Sequence, residues 1–325
     1  MPHMPQIALA DFLESLSASD QLARVSDELD PELEIACAAD RSAKNAGPAI
    51  LFERVRGCEA AVVANLFGST ERICQALGVE SIDDFIERAS RLLDGGAGNW
   101  LDRLRGRNDK SPLERFPPKR IKTAPVQQVV RLGRDVDLGG FPILRSWPEE
   151  TWQSITSGAL LSINPESGER RIERCLLPVV DRHKLAVVWN PLGVPHRHFE
   201  RFRARGEKLP LAVVLGGPPL WMLLSELPFV EEADPLALAG LLMEHSLPAV
   251  ACRTQPVEVP AEAEFIIEGF LDPSEPPIDA GWIAAPTGFY HRVAAAPALH
   301  VTAITHRANP AFPATVFGRP PSEHS

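Results

Sequence analysis

Tyrosine is almost missing from this 325-residue chain: Tyr290 is the only one. Long apolar runs are missing too. No stretch approaches 18 uncharged apolar residues, which excludes a membrane-spanning helix. The N-terminal Met-Pro-His-Met-Pro-Gln has no basic segment followed by an apolar core, so a secretory signal is not expected. Positive charge is in deficit. With 33 Lys and Arg against 43 Asp and Glu, the net charge is −10, and duplex nucleic acid is not an expected partner, because its sequence-independent binding needs cationic surface. Cysteine is scarce and unpatterned. Cys37, Cys58, Cys74, Cys175 and Cys252 are odd in number, and no two lie two or three residues apart. That fits neither a zinc ribbon nor a disulfide framework. Buried free thiols in a reducing cytosol, hence a cytoplasmic protein, are the expectation. Gly-x-Gly-x-x-Gly, a Walker loop, His-Glu-x-x-His and a Gly-x-Ser-x-Gly elbow are all absent.

What is present is globular: 45% hydrophobic and 23% charged residues. The first hundred residues read as α/β. Leu9, Phe12, Leu13 and Leu16 share a helical face. A second helix is expected from the capping Asp30, with Pro31 in its first turn, to about Lys44. Ala49–Glu53 and Ala60–Leu66 read as strands about a turn at Gly57. A helix from Ser69 stops at Gly78, and another starts at Ser81 with Asp84 at the capping-box position. Residues 95–125 read as a linker, with a boundary near 120. The chain's 31 prolines concentrate after residue 110, and beyond the boundary the pattern becomes short β runs: Val126–Leu132, Ser157–Ile163, Leu185–Trp189, Leu211–Leu215, Ala249–Cys252, Glu264–Gly269 and Leu299–Thr305. Their density predicts a barrel or sandwich, with helical insertions at His198–Ala204 and Pro235–Glu244.

Four patterns carry candidate chemistry. Glu264 and Glu268 alternate onto one strand face, where two carboxylates suit a divalent cation or simply a solvated edge. His196 and His198, two apart on an extended segment, suit a shared metal or a pair of surface imidazoles. The basic run Arg201, Arg203 and Arg205 suits phosphate or a solvated helix face. Ser157-Gly158 and Gly216-Gly-Pro-Pro suit phosphate-binding backbone or ordinary turns. None of these names a reaction.

The order of segments does more. Gly47-Pro-Ala-Ile-Leu-Phe-Glu53, Asn65-Leu-Phe-Gly-Ser-Thr-Glu-Arg72, Thr123-Ala-Pro-Val-Gln-Gln128, Asp135-Val-Asp-Leu138 and Trp147-Pro-Glu-Glu150 resemble the UbiD family of carboxy-lyases. So do Pro210-Leu-Ala-Val-Val-Leu-Gly-Gly217, Val259-Pro-Ala-Glu-Ala-Glu-Phe-Ile-Ile-Glu-Gly269, Thr287-Gly-Phe-Tyr290, Val301-Thr-Ala-Ile-Thr-His-Arg307 and Gly318-Arg-Pro-Pro321. The resemblance implies an N-terminal α/β domain (residues 1–118, linker included) followed by a split, FMN-binding-like β-barrel (119–325). It implies that the family's C-terminal oligomerisation domain, with a lysine that reaches the flavin, is absent. It also implies reversible decarboxylation of aromatic, heteroaromatic or α,β-unsaturated acids, with prenylated FMN, Mn²⁺ or Mg²⁺, and K⁺.

The departures matter equally. Matched to the family pattern, the metal-binding Asn falls on Arg171, the metal-binding His on Leu192, and the third metal ligand on Glu268. The catalytic Arg falls on Leu176. The two proton-transfer carboxylates fall on Ala280 and Ala285, with Asp279 as a substitute for the first. Ser157, Arg171 and Glu268 are the positions left for cofactor binding, and Leu176, Leu192 and Ile283 form an apolar pocket. The expectation is therefore a non-catalytic subunit, without cofactor of its own, assembled with a UbiD-like decarboxylase chain or as a homodimer. The alternative is a carboxy-lyase completed in trans or by Asp279, Glu264, Glu268 and His196. A truncated remnant is a third reading. Arg171 is expected to replace the metal by pairing with Glu268 across neighbouring barrel strands.

Overall fold

The computed structural model describes residues 8–93, 111–226 and 233–323. The N-terminal part is a helix-covered sheet of β1 (Leu22–Leu29), β2 (Ala49–Val55) and β3 (Ala61–Ala64). The helix Leu9–Ala18 buries Leu9, Phe12, Leu13 and Leu16 as the spacing predicts. The helix Thr70–Leu77 is capped by the Ser69 hydroxyl, which accepts from the Arg72 N–H, and is closed by Gly78 at φ 65°. At the start of Ile82–Leu93, Ser81 and Asp84 exchange a reciprocal capping box. The second helix runs Glu34–Lys44 rather than from Asp30. The Asp30 carboxylate instead turns onto the Glu32 N–H, and Leu33 takes a positive φ of 71°. The expected linker lies largely in 94–110, outside the described residues.

The remaining strands are β4 (Lys119–Arg120), β5 (Val129–Leu132), β6 (Ser154–Ile163), β7 (Arg170–Asp181), β8 (Lys184–Ala186), β9 (Leu209–Leu215), β10 (Pro248–Ala251), β11 (Glu258–Pro260), β12 (Phe265–Leu271), β13 (Gly281–Ala284), β14 (Tyr290–Val293), β15 (Ala298–His306) and β16 (Ala311–Ala314). β12, β9, β6, β7, β8 and β15 pair antiparallel in that order, and β15 returns to β12, closing a six-stranded barrel. Period-two alternation builds its two faces. Leu160, Val213 and Ile267 join the core that extends to the N-terminal sheet. Leu161, Val214 and Ile266 face a second core, shared with the helices Pro219–Leu224 and Pro235–Leu242. β16 joins the first sheet, parallel to β3. Its Phe312 meets Phe265 of β12 at 5.3 Å between ring centroids, tying sheet to barrel.

All five cysteines are free. Cys74 and Cys175 are buried as expected, but Cys37 is exposed. Among the described residues no helix is long and apolar enough to cross a membrane.

Candidate functional site

A cavity of about 500 Å³ opens beside the barrel. One wall is the first half of β7, from Arg171 to Leu176. The others are Val188 and Asn190, the turn at Leu192–Val194 with Arg197, the Leu224–Glu226 segment, and Pro286 with Phe317. A smaller cavity of about 250 Å³ shares Arg174, Ser225 and Glu226 with it and carries Ser157 and Glu323.

The charges in the larger cavity are held in place individually. Arg174 ion-pairs with Glu226, and its guanidinium lies 4.8 Å from the Phe317 ring centroid. Glu173 turns to the start of the helix Val194–Arg205, accepting backbone N–H groups of Asn190 and Val194. Burial nevertheless raises its carboxyl above the usual range, against those bonds and the nearby Arg197. Arg197 donates to the Leu192 carbonyl at 2.8 Å. Arg171 is only 9% exposed. It donates to the Arg170 carbonyl at 2.7 Å and the Ala233 carbonyl at 3.4 Å, and its Nη2 lies 3.4 Å from Glu169. His198 bonds Ser162 at 2.9 Å. Burial, reinforced by Arg171, Arg201 and Arg197, pushes it down to about 4, so it is neutral at pH 7.

The packing of Glu173 depends on Gly193. A Cβ there would lie 2.3 Å from a Glu173 carboxylate oxygen. Gly193→Val is therefore expected to displace Glu173 and cost about 1–3 kcal/mol of stability, readable as a lower urea midpoint. An unchanged midpoint would show that the carboxylate is not packed there.

The expected site residues divide. Arg171, Leu176 and Leu192 line the larger cavity. Ser157 lines the smaller one and donates its hydroxyl to the Pro313 carbonyl. Ala280 is buried with Ala186 and Ala296, and Ile283 is buried but lines neither cavity. Ala285 lines a separate 250 Å³ pocket with Trp147, Phe289 and Tyr290. Asp279 holds Arg292 across the β13–β14 hairpin.

The Arg171–Glu268 pair does not form. β9 and β6 separate their strands in the barrel order. Glu268, 0% exposed, accepts instead from the Arg253 N–H at 2.8 Å, the Thr254 N–H at 2.6 Å and the Thr254 hydroxyl at 2.8 Å. Glu264 does not share a site with it. Its carboxylate meets Arg307 at 3.2 Å and the Ala311 N–H at 2.9 Å. Neither carboxylate is a solvated edge residue, because each is buried. His196 and His198 also part. Their segment is helical, not extended, so residues two apart face different directions. His196 packs edge-on against Trp189 at 5.7 Å while His198 turns to Ser162. Arg201, Arg203 and Arg205 pair with Glu166, Glu200 and Glu207. Glu173, Arg174, Asn190, Arg197 and Glu226 were not singled out by sequence. The continuation of the basic run back to Arg197 was the one visible signal.

The residues do not fit a resident divalent metal. At the first two positions the resemblance assigns to ligands stand a guanidinium and a leucine, which have no lone pair to give. The third, Glu268, is fully engaged elsewhere. Among the described residues no group of three His, Cys, Asp or Glu is placed to hold a metal.

Residues 119–320 match the 3-octaprenyl-4-hydroxybenzoate carboxy-lyase Rift-related domain, and residues 13–92 match the N-terminal domain of that carboxy-lyase. An uncharacterized protein of Aquifex aeolicus is 36% identical over 318 residues, covering 97% of this chain and 65% of the relative. An uncharacterized Archaeoglobus fulgidus protein is 33% identical over 316 residues, with the same coverage. The chain thus spans just under two thirds of the length of these relatives. Among solved structures, an evolved dimeric form of the UbiD-class enzyme HmfF from Pelotomaculum thermopropionicum, in complex with prFMN, superposes with a TM-score of 0.84 at 27% identity, covering 98% of this chain and 68% of that one. Sedimentibacter hydroxybenzoicus vanillic acid decarboxylase (ShVdcCD), with truncated ShVdcD, gives 0.82 at 26%, covering 97% and 65%.

Proposed function

The chain belongs to the UbiD family of carboxy-lyases, and from that premise we propose that it is a non-catalytic subunit that holds a ligand in its cavity and works beside a catalytic UbiD-like chain. The observation that carries this is the chemistry of the cavity wall. Where the resemblance places an arginine to clamp the substrate carboxylate, the wall presents Leu176. A leucine cannot supply the bidentate fork. Of the two acid positions, Ala280 is sealed in a small alanine core and Ala285 lines a different pocket. Neither can return a proton to a product carbon. The substitutes that sequence suggested, Asp279, Glu264, Glu268 and His196, do not line the cavity.

The rim supports a partner. Leu192 is 80% exposed at the cavity edge, and Phe289, 76% exposed, lines the pocket that shares Phe317 with this cavity. Both are large apolar side chains that a partner chain would cover. Among the structural neighbours, HmfF occurs as an evolved dimer and the vanillic acid decarboxylase as ShVdcCD with a named ShVdcD component.

One observation favours a second reading. Glu173 is a cavity carboxyl whose proton affinity is raised by burial, the property a general acid needs. The test separates the two. The chain is purified alone and together with a full-length UbiD-class chain, each from cells co-expressing a flavin prenyltransferase. Mass is read by light scattering, and CO₂ release from a panel of aromatic acids is measured. The expected result is a stable complex and no release by the chain alone. Turnover by the chain alone that Glu173→Gln abolishes would replace the proposal with the second reading.

A further inference from the structure

We infer that the anion site of this cavity is built from arginine where the family resemblance places a divalent metal, so that a phosphoryl group is held there directly and without metal. The inference rests on reading the cavity as a ligand site and specifies what the ligand must carry.

Three guanidiniums line the cavity, and their charges are not equally compensated. Arg174 is neutralised by Glu226. Arg197 is tied to a carbonyl as well as lying near Glu173. Arg171 is different. It is buried, yet it meets two neutral carbonyls and one half-exposed carboxylate at 3.4 Å. Carbonyls satisfy N–H groups without cancelling charge, and an incompletely paired buried cation is costly. The fork has five N–H donors; those contacts engage three of them, and Arg171 is part of the cavity wall. Neighbouring His198 is held neutral by burial and by the same cluster of cations, as a locally positive potential requires.

A metal would mask none of this, because the donors for one are missing. An anion would. Of the anions a guanidinium fork binds well, phosphate and carboxylate, the cavity favours phosphate. Arg171, Arg174 and Arg197 outnumber Glu173 and Glu226 in the lining, and both glutamates already have partners. The volume of about 500 Å³ admits a phosphorylated molecule of nucleotide size. The HmfF neighbours, solved with prFMN and with FMN, carry such a molecule.

The experiment titrates the purified chain with FMN, with riboflavin and with inorganic phosphate as competitor, following flavin fluorescence, in EDTA and again with added Mn²⁺. FMN is expected to bind equally in both media and riboflavin at least about tenfold more weakly. Inorganic phosphate should compete with FMN and leave riboflavin untouched. Arg171→Met should weaken FMN roughly 10- to 100-fold without changing riboflavin. Arg197→Gln, at an exposed position that does not endanger folding, should weaken FMN in the same selective way. FMN affinity that collapses in EDTA would overturn the metal-free site while leaving the subunit reading intact. Equal affinity for FMN and riboflavin would overturn the phosphate assignment. Failure of both flavins to bind would overturn the site and, with it, the ligand-holding half of the proposed function. The complex and turnover measurements test the subunit reading independently.

Discussion

Glu268→Ala is expected to cost on the order of 3–5 kcal/mol of folding stability, a loss large enough to leave little of an ordinary domain's margin. The carboxylate has no exposed surface and accepts from two successive backbone N–H groups and one hydroxyl, all from Arg253 and Thr254. Removing it takes the acceptor from two backbone N–H groups, costs the Thr254 hydroxyl one of its partners, and leaves a cavity against β12. Glu268→Gln should cost less, about 1–3 kcal/mol, because an amide keeps one accepting oxygen and turns its NH₂ toward a donor. The network continues outward: the Thr254 hydroxyl also meets that of Thr302 at 2.6 Å, and Gln255 reaches Thr302 at 3.1 Å. Urea unfolding of the three proteins measures the differences. The same titration in EDTA and in Mn²⁺ decides the role. A structural carboxylate gives midpoints that ignore the metal. A wild-type midpoint that rises in Mn²⁺ and a Glu268→Ala midpoint that does not would return this residue to metal binding.

That residue also shows where sequence reading stops. The alternation Glu264-Phe-Ile-Ile-Glu268 correctly gives a strand, since a pleated backbone needs only period two. It cannot give the loop at 253–254 that folds over the strand and takes up the carboxylate. Local signals were legible wherever a few adjacent residues decide the geometry. The Ser69 and Ser81 caps, the Gly78 stop and the cores of β6, β9, β12 and β15 are of this kind. β1 was not legible, because its eight residues are mostly exposed or half-exposed and show no clean alternation. β7 was visible only through the family resemblance. Its Arg-Arg-Ile-Glu-Arg opening looks like a solvated segment, and the charges turn out to line the cavity. Barrel order is the deeper obstacle. The pairing of Arg171 with Glu268 presumed adjacent strands, and the closure through β9 and β6 is set by long-range packing that neither sequence neighbourhood records.

Stability is expected to rise as the pH falls from 8 to about 5, and Glu264 should supply much of that slope. Burial, with Glu262 nearby, raises its carboxyl from 4.5 to about 7, although the Ala311 N–H and Arg307 pull the other way. The folded state therefore holds this proton between about pH 4.5 and 7, where the unfolded chain has released it. Stability must then increase as pH falls through that window, by on the order of 3 kcal/mol for a shift of this size. Above about pH 7 the carboxylate is charged in both states and the contribution is gone. Glu150, Glu173 and Glu323 are shifted in the same direction by burial, while the lowered His198 and His306 oppose it below about 6.5. Those groups are common to the wild type and to Glu264→Gln, so the difference between the two proteins isolates one carboxyl. The amide of the Glu264→Gln variant keeps an oxygen for the Ala311 N–H, and Arg307 keeps Glu262 and the Ala263 carbonyl. The variant should therefore be the more stable protein at pH 8, and its advantage should shrink to nothing near pH 5, read as urea midpoints at about pH 8, 6.5 and 5. Parallel curves for the two proteins would mean that Glu264 is ionised in the folded state throughout, held by Arg307 as a true buried ion pair.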